Sequence, residues 1–324
     1  MPADVRFPDN HFPAAGFIKE IGRGKKGARS MSRDDAAALY AAMLDGRVSD
    51  LELGAILLAM RIKGESVEEI AGFLDAAEAS FAPLPVPSGL FAPVLIPSYN
   101  GSRKLANLTP LLALLLAREG VPVLVHGVNR DPGRITTAEI FEAMGMPAAS
   151  DAAGIELAHS LRQPAFIPIA VLAPKMGRLL ALRRVLGVRN STHTLVKILQ
   201  PYAGPALRLV SYTHPEYLDM LADYFTRAVP SGRGDAFLMR GTEGETVANA
   251  NRANQIDWFH DSERTLLVPR DAPTDLVAPA PEARDAASTA AWIGRAMRGE
   301  EPVPPSILEQ VAQCVRVARK GTGT

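Results

Sequence analysis

Between Pro83 and Pro93 the chain reads PLPVPSGLFAP, four prolines in eleven residues. Proline lacks a backbone N–H and biases the residue before it away from the helical region, so neither a helix nor a central strand crosses this stretch. The chain divides there, and its texture differs on the two sides. Upstream, SRDDAAALYAAMLDGRVSDLELGAILLAMRIKGESVEEIAGFLDAAEA carries helix punctuation throughout: a cap at Ser32 with acids in the first turn, a stop at Gly46, a second cap at Ser49 or Asp50, and a stop at Gly64. Downstream, PVLIPSY, TPLLALLLAREG, VPVLVHG and TTAEIFEAMG alternate strand and helix, the pattern of a parallel sheet with helices on its faces. AFIPIAVLAP returns toward the sheet, MGRLLALRRVLG reads as one short helix ended by Gly187, and STHTLVKIL as a helix capped by Asn190 or Ser191. ALRLVSYTH, HPEYLDMLADYFTRA and DAFLMRG continue the strand, helix, strand order, and two helices close the chain. The expected architecture is a small all-α domain over 1–85 and a larger α/β domain over 86–324 with a central, mostly parallel sheet.

At 324 residues and 47% hydrophobic, the chain is large enough for a sizeable packed core. Its longest apolar run, LLALLLA with its neighbours, is about half of what a bilayer requires, and no leader pattern opens the sequence. A cytoplasmic protein without membrane partners is the expectation. The single cysteine, Cys314, excludes an internal disulfide and reads as a small apolar filler in the last helix.

Net charge is zero, 35 basic against 35 acidic residues, so total charge points to no polyanion. Its distribution does. Between Glu156 and Glu216 there is no acid, whereas Arg162, Lys175, Arg178, Arg183, Arg184, Arg189, Lys197 and Arg208 all fall inside. A second basic cluster, IKEIGRGKKGARSMSR, contains Lys25 and Lys26. This is the pattern of a neutral protein with one basic face.

PSYNGSRKLANLTP, Pro97 to Pro110, joins a strand to a helix N-terminus, the place where proteins hold phosphate. Yet the loop has one glycine, and Tyr99, Arg103 and Lys104 stand where small residues are usual. Neither a G-x-G-x-x-G fingerprint nor a Walker loop is present. Of the six histidines, His126 and His193 stand out, and no pair has metal-ligand spacing. GTEGETVAN puts Glu243 and Glu245 on a turn that either holds magnesium with a diphosphate or is simply a solvated acidic turn. RRVLGVRNSTHTLVK sets four cations around a helix start and suits either phosphate oxygens or a surface helix with snorkelling arginines.

In this order, ALYAAMLDGRVSDLELGAILLAMRIKGESVEEIAGF, the Pro97 loop, VHGVNRDPGRITTAEIFEAMGM and RRVLGVRNSTHTLVKILQP resemble the anthranilate phosphoribosyltransferase family, related to nucleoside phosphorylases of the same fold, up to about Asn249. More narrowly, KEIGRGKKGAR, IPSYNGSRKLANLTPLL, GVRNSTHTLVK and GTEGE resemble its YbiB-type branch, DNA-binding proteins built on the transferase fold. The resemblance implies a helical segment near 174–192 that joins the small domain, and a homodimer formed through the small domains. It also implies a pocket whose remnants are Ser98, Asn100, Gly101, Asn107, Thr109, His126 and Gly127. The family's Gly-Thr-Gly-Gly-Asp diphosphate loop falls on Pro97 to Gly101, PSYNG, and its Lys-His-Gly-Asn-Arg motif on Val125 to Asn129, VHGVN. Its magnesium-holding Asp-Glu pair falls on Thr246 and Val247, leaving Glu245 as a displaced remnant, and Arg184 matches an arginine that binds the aromatic acid.

Each lost donor to a leaving diphosphate costs about 2–4 kcal/mol in the transition state. The expectation is therefore a non-catalytic, sequence-independent nucleic-acid (DNA) binder without metal or cofactor, whose Pro97 loop borders a groove for the phosphate backbone. Its contacts are expected at Lys175, Arg178, Arg183, Arg184, Arg189 and Lys197, with Arg103, Lys104, Lys25 and Lys26 adding to them. The alternative is a phosphoribosyltransferase or phosphorylase with an altered substrate, using Asn107, Thr109, His126, Arg184 and Glu245.

Overall fold

The computed structural model describes residues 9–24, 26–251, 254–270 and 279–320. In chain order the elements are α1 (Ala15–Ile21), α2 (Arg33–Leu44), α3 (Asp50–Lys63), α4 (Val67–Glu78), β1 (Val94–Ser98), α5 (Thr109–Arg118), β2 (Val123–Gly127), α6 (Thr137–Ala143), α7 (Ala152–Ser160) and β3 (Ala165–Pro168). There follow α8 (Ile169–Leu172), α9 (Pro174–Ala181), α10 (Arg183–Leu186), α11 (Thr192–Ile198), β4 (Leu207–Tyr212), α12 (Pro215–Arg227), β5 (Ala236–Arg240), β6 (Ile256–His260), β7 (Glu263–Val268), α13 (Ala286–Met297) and α14 (Pro305–Ala318). They form two compact units: the described residues of Met1–Ala82 with Ala173–Leu199, and those of Pro83–Leu172 with Gln200–Thr324.

The small unit is all helix, and its helix starts follow from local chemistry. Ser32 accepts the Asp35 amide, while Ser49 with Glu52 and Ser66 with Glu69 form reciprocal capping boxes. Glycine at position 72 lets α4 lie against α2, since a Cβ there would collide with the Arg33 carbonyl. Across that contact the rings of Tyr40 and Phe73 stack at 5.1 Å. The Tyr40 hydroxyl then reaches the hydroxyl of Thr192 on α11, 2.9 Å away. Glu69, fully buried, takes the Lys63 ammonium at 2.7 Å and the Met31 amide at 2.9 Å, so the charge is both paired and hydrogen-bonded as burial demands. The helix expected through MGRLLALRRVLG is instead two, α9 and α10, which meet at Leu182.

The large unit is built on a seven-stranded sheet ordered β3-β2-β1-β4-β5-β6-β7. From β3 through β5 neighbouring strands are parallel; β5 with β6 and β6 with β7 are antiparallel. VLIPS and VLVHG are buried along their whole length, as expected of strands covered on both faces. Helix α5, TPLLALLLAR, is buried over eight of its ten residues and packs with Ile96, Val125, Phe141, Leu209 and Cys314 in one core. The observed fold is thus the small helical unit plus mostly parallel α/β unit expected from the sequence. The β6–β7 hairpin was not foreseen. Its connection is Asp261-Ser262, both in the left-handed region (φ 45° and 68°), a two-residue turn normally marked by Asn-Gly.

Candidate functional site

The strand order places the site. The chain runs from β1 outward through β2 to β3, then returns to lay β4 on the other side of β1. In an open parallel sheet such a reversal opens a crevice at the carboxyl ends of the two central strands. There the loop after β1 begins, and there GTEGETV, following β5, folds over it.

That turn closes on itself by paired backbone bonds between Thr242 and Glu245, each 3.0 Å, with Glu243 and Gly244 both at positive φ (53° and 93°). Gly244 has no alternative, because a Cβ there would overlap the Asn100 side chain. The consequence lies in where the two carboxylates go. Glu245 is fully buried, and its Oε1 accepts the amides of Asn100 (2.9 Å) and Gly101 (2.7 Å), while the Thr109 hydroxyl donates to Oε2 at 3.4 Å. Glu243 accepts the amide of Arg103 at 2.6 Å and that of Lys104 at 3.0 and 3.1 Å. Asn100 Nδ2 and the Ser211 hydroxyl both donate to the Gly244 carbonyl, at 2.7 and 2.9 Å, and fix the turn in place.

The loop after β1 is therefore a cradle of four amides, and its anions are the protein's own carboxylates. Glu245, expected as a displaced remnant of a magnesium-holding pair, has its oxygens engaged by amide and hydroxyl donors; among the described residues no group of three or more His, Cys, Asp or Glu is arranged to hold an ion. The same loop exposes the side chains of Arg103, Lys104 and Leu105. Pro97 costs it nothing, because the donors in use belong to residues 100, 101, 103 and 104.

The other pocket residues are tied to one another. The Ser98 hydroxyl donates to Thr137 Oγ1 at 2.8 Å, Asn107 Nδ2 to the same oxygen at 3.1 Å, and Asn107 Oδ1 accepts the Thr109 amide at 3.1 Å. Tyr99, pointing inward, places its hydroxyl 2.7 Å from His126 Nδ1. Burial holds the His126 pKa down at about 3 and pushes that of Tyr99 up, so both are neutral. Gly127 lies against the Ser98 carbonyl, where no Cβ fits.

The basic residues separate into different roles. Burial, helped by the nearby charges of Arg189, Arg183 and Lys197, pushes the His193 pKa down to about 4, so three of the expected contacts share one neighbourhood. Arg184 and Lys26 are exposed, as are the side chains of Arg103 and Lys104. Lys175 is paired with Asp45 at 2.7 Å. Arg178 donates to the carbonyls of Met43 and Leu44 at 2.9 and 2.8 Å, closing the C-terminus of α2. Lys25 lies outside the described residues. Arg208 leaves the surface altogether: 2% exposed on β4, it sits over the Phe225 ring at 5.2 Å. The tract without acids in sequence also meets acids in space, Asp45 and the half-buried Glu65, the latter beside Ser191 with its pKa raised by desolvation. No helix among the described residues is long and apolar enough to cross a membrane.

Comparison with known proteins agrees with this architecture. Residues 16–80 match the helical bundle domain of the glycosyl transferase family. The chain is 46% identical over 302 residues to the uncharacterized protein YbiB of Escherichia coli, covering 92% of each. It is 28% identical to the anthranilate phosphoribosyltransferase of Novosphingobium aromaticivorans, over 88% of this chain and 86% of that one. Among solved structures, the anthranilate phosphoribosyltransferase of Thermus thermophilus superposes with a TM-score of 0.69 at 23% identity, covering 93% of this chain and 87% of its own. The Saccharomyces cerevisiae enzyme in complex with PRPP and Mg gives 0.68 at 13% identity, covering 94% and 88%; these two likenesses concern the fold.

Proposed function

We propose that this chain, which belongs to the family of YbiB and the anthranilate phosphoribosyltransferases, is a non-catalytic protein that binds nucleic-acid backbone without regard to sequence. The observation that carries the non-catalytic half is the filled cradle. Phosphoribosyl transfer needs donors free to meet charge developing on a leaving diphosphate, and here the amides of Asn100, Gly101, Arg103 and Lys104 already serve Glu243 and Glu245. A diphosphate would have to displace two carboxylates, one of them fully buried.

The binding half is supported by the cations. Arg183, Arg189 and Lys197 lie near His193, and Lys26 and Arg184 are exposed in the same unit; contacts of this kind position a phosphate chain without reading bases. A homodimer is part of the proposal. Helix α3 exposes Leu51, Leu58 and Ile62, at 77%, 48% and 59%, along one side, an apolar stripe suited to a second copy. Two copies on one strand would raise avidity without new contacts.

The test is a fluorescence-anisotropy titration of unrelated single- and double-stranded oligonucleotides at several salt concentrations, with phosphoribosyl diphosphate and magnesium as competitor. Affinity that ignores sequence, falls linearly on a log-log salt plot and resists the competitor is the expected result. Saturable, magnesium-dependent binding of the competitor with no oligonucleotide binding would favour a transferase or phosphorylase with an altered substrate.

A further inference from the structure

In the large unit an aromatic ring and several guanidinium groups meet on one face of the sheet, at the carboxyl ends of β4 and β5. Register puts them there. Tyr212 is the Cα partner of Arg240 in the parallel β4–β5 pair, so the two side chains leave the same face on neighbouring strands. Two residues back along β5, Leu238 pairs with Asp257 of β6, and Asp257 with Leu266 of β7, which carries that face to the edge of the sheet. The patch draws on separate strands, so no single stretch of sequence displays it.

Helix α12 covers this face only in part. Its Phe225 ring lies 5.4 Å from that of Phe259 and 5.2 Å from the Arg208 guanidinium, at the amino-terminal end of β4. At the other end residues 213–216 are exposed, Tyr212 is only half-buried, and Arg240 and Leu266 stand exposed. Charges close to the Tyr212 phenol include one carboxylate, Asp257, and three guanidinium groups, Arg240, Arg264 and Arg270. Asp257 is buried and already served, by Arg264 at 3.0 Å and by Gln255 Nε2 at 3.0 and 2.9 Å. Arg240 and Arg270 are exposed beside it. Burial, with Asp257, raises the phenol pKa against the pull of the arginines, and the ring stays neutral.

A half-exposed neutral ring flanked by guanidinium groups is what an unpaired base stacks on while its phosphates are held alongside. In a duplex the bases already stack on one another, so only a single strand can use the ring. We infer that this patch takes a base of single-stranded nucleic acid on Tyr212 and the adjoining phosphates on Arg240 and Arg270. The inference rests on the nucleic-acid binding proposed above, and adds to the cations of the small unit a contact that needs a base, of any identity.

Anisotropy titrations of the full chain with two labelled strands of equal length test it: oligothymidylate, and a strand with the same phosphates in which every sugar is abasic. The parent should bind oligothymidylate about tenfold more tightly than the abasic strand. Tyr212→Ala should remove that margin and Tyr212→Phe keep it, whereas Arg240→Ala should weaken both strands and lower the log-log salt slope by about 0.7, the share of one phosphate. Equal affinity of the parent for the two strands, or a margin that survives Tyr212→Ala, would overturn the assignment and leave backbone binding standing. Failure of both strands and of a duplex to bind at low salt would overturn the nucleic-acid reading together with this one.

Discussion

Replacing Glu245 separates a carboxylate that fills a cradle from one that merely happens to be buried. Its Oε1 accepts two backbone amides, from Asn100 at 2.9 Å and Gly101 at 2.7 Å, in a region with no access to water. Glu245→Ala strands both donors, each costing about 1–3 kcal/mol when buried and unpaired, so the expected loss is about 3–5 kcal/mol. Glu245→Gln keeps an oxygen where both amides point, and its new NH₂ group meets the Thr109 hydroxyl, which can rotate to accept. It forfeits only the charge assistance, about 1–2 kcal/mol. Urea unfolding of both variants, followed by circular dichroism and by the fluorescence of Trp258 and Trp292, measures the gap. Equal losses in the two variants, or an alanine variant within about 1 kcal/mol of the parent, would refute the argument that the amides depend on this oxygen.

Arg178→Ala should cost about 1–2 kcal/mol by uncapping α2, whereas Lys175→Ala, which breaks a half-exposed pair, should stay within about 0.5 kcal/mol; the two are compared by urea midpoints. His193 and His126 are held at about 4 and about 3 in the fold, against about 6.5 when unfolded. Their contribution to stability is full above about pH 6.5 and is lost as pH falls toward the folded values, because the unfolded chain binds the protons first. With both protonated only in the unfolded state, stability should fall by up to about 2.7 kcal/mol per pH unit near pH 5. Urea titrations between about pH 7.5 and 4.5 check this slope, and His193→Gln should roughly halve the pair's share. Leu58→Asp should leave a monomer in analytical ultracentrifugation; an unchanged dimer would remove α3 from the proposed interface.

What the sequence made legible is what short-range chemistry decides. The helix start at Ser49 or Asp50 is read from the local pattern, because a cap and the amides it serves lie within one turn; the structure puts the cap on Ser49. The buried strands and the apolar α5 announce themselves by composition. The Asp261-Ser262 turn gave no signal, since neither residue is the glycine that its left-handed angles favour. The partners of Glu243 and Glu245 lie about 140 residues upstream, so no local window connects them, and a glutamate beside glycine looks like a solvated turn. The charge tally failed at Arg208 for a related reason: it counts cations along the chain, while burial on β4 and the approach of Asp45 and Glu65 are decided by the fold.

The small unit is assembled from two stretches of chain, and this sets a timetable for biosynthesis. When Ala82 leaves the ribosome, α1 to α4 are present, but Tyr40 has no Thr192 to bond and the end of α2 has no Arg178 to close it. Those residues are made only after some ninety intervening residues have been added. For that interval the nascent helices stand with part of their apolar surface uncovered, a natural client for a chaperone that waits at the exit tunnel. The first domain to be translated therefore cannot finish folding until Leu199 has been made.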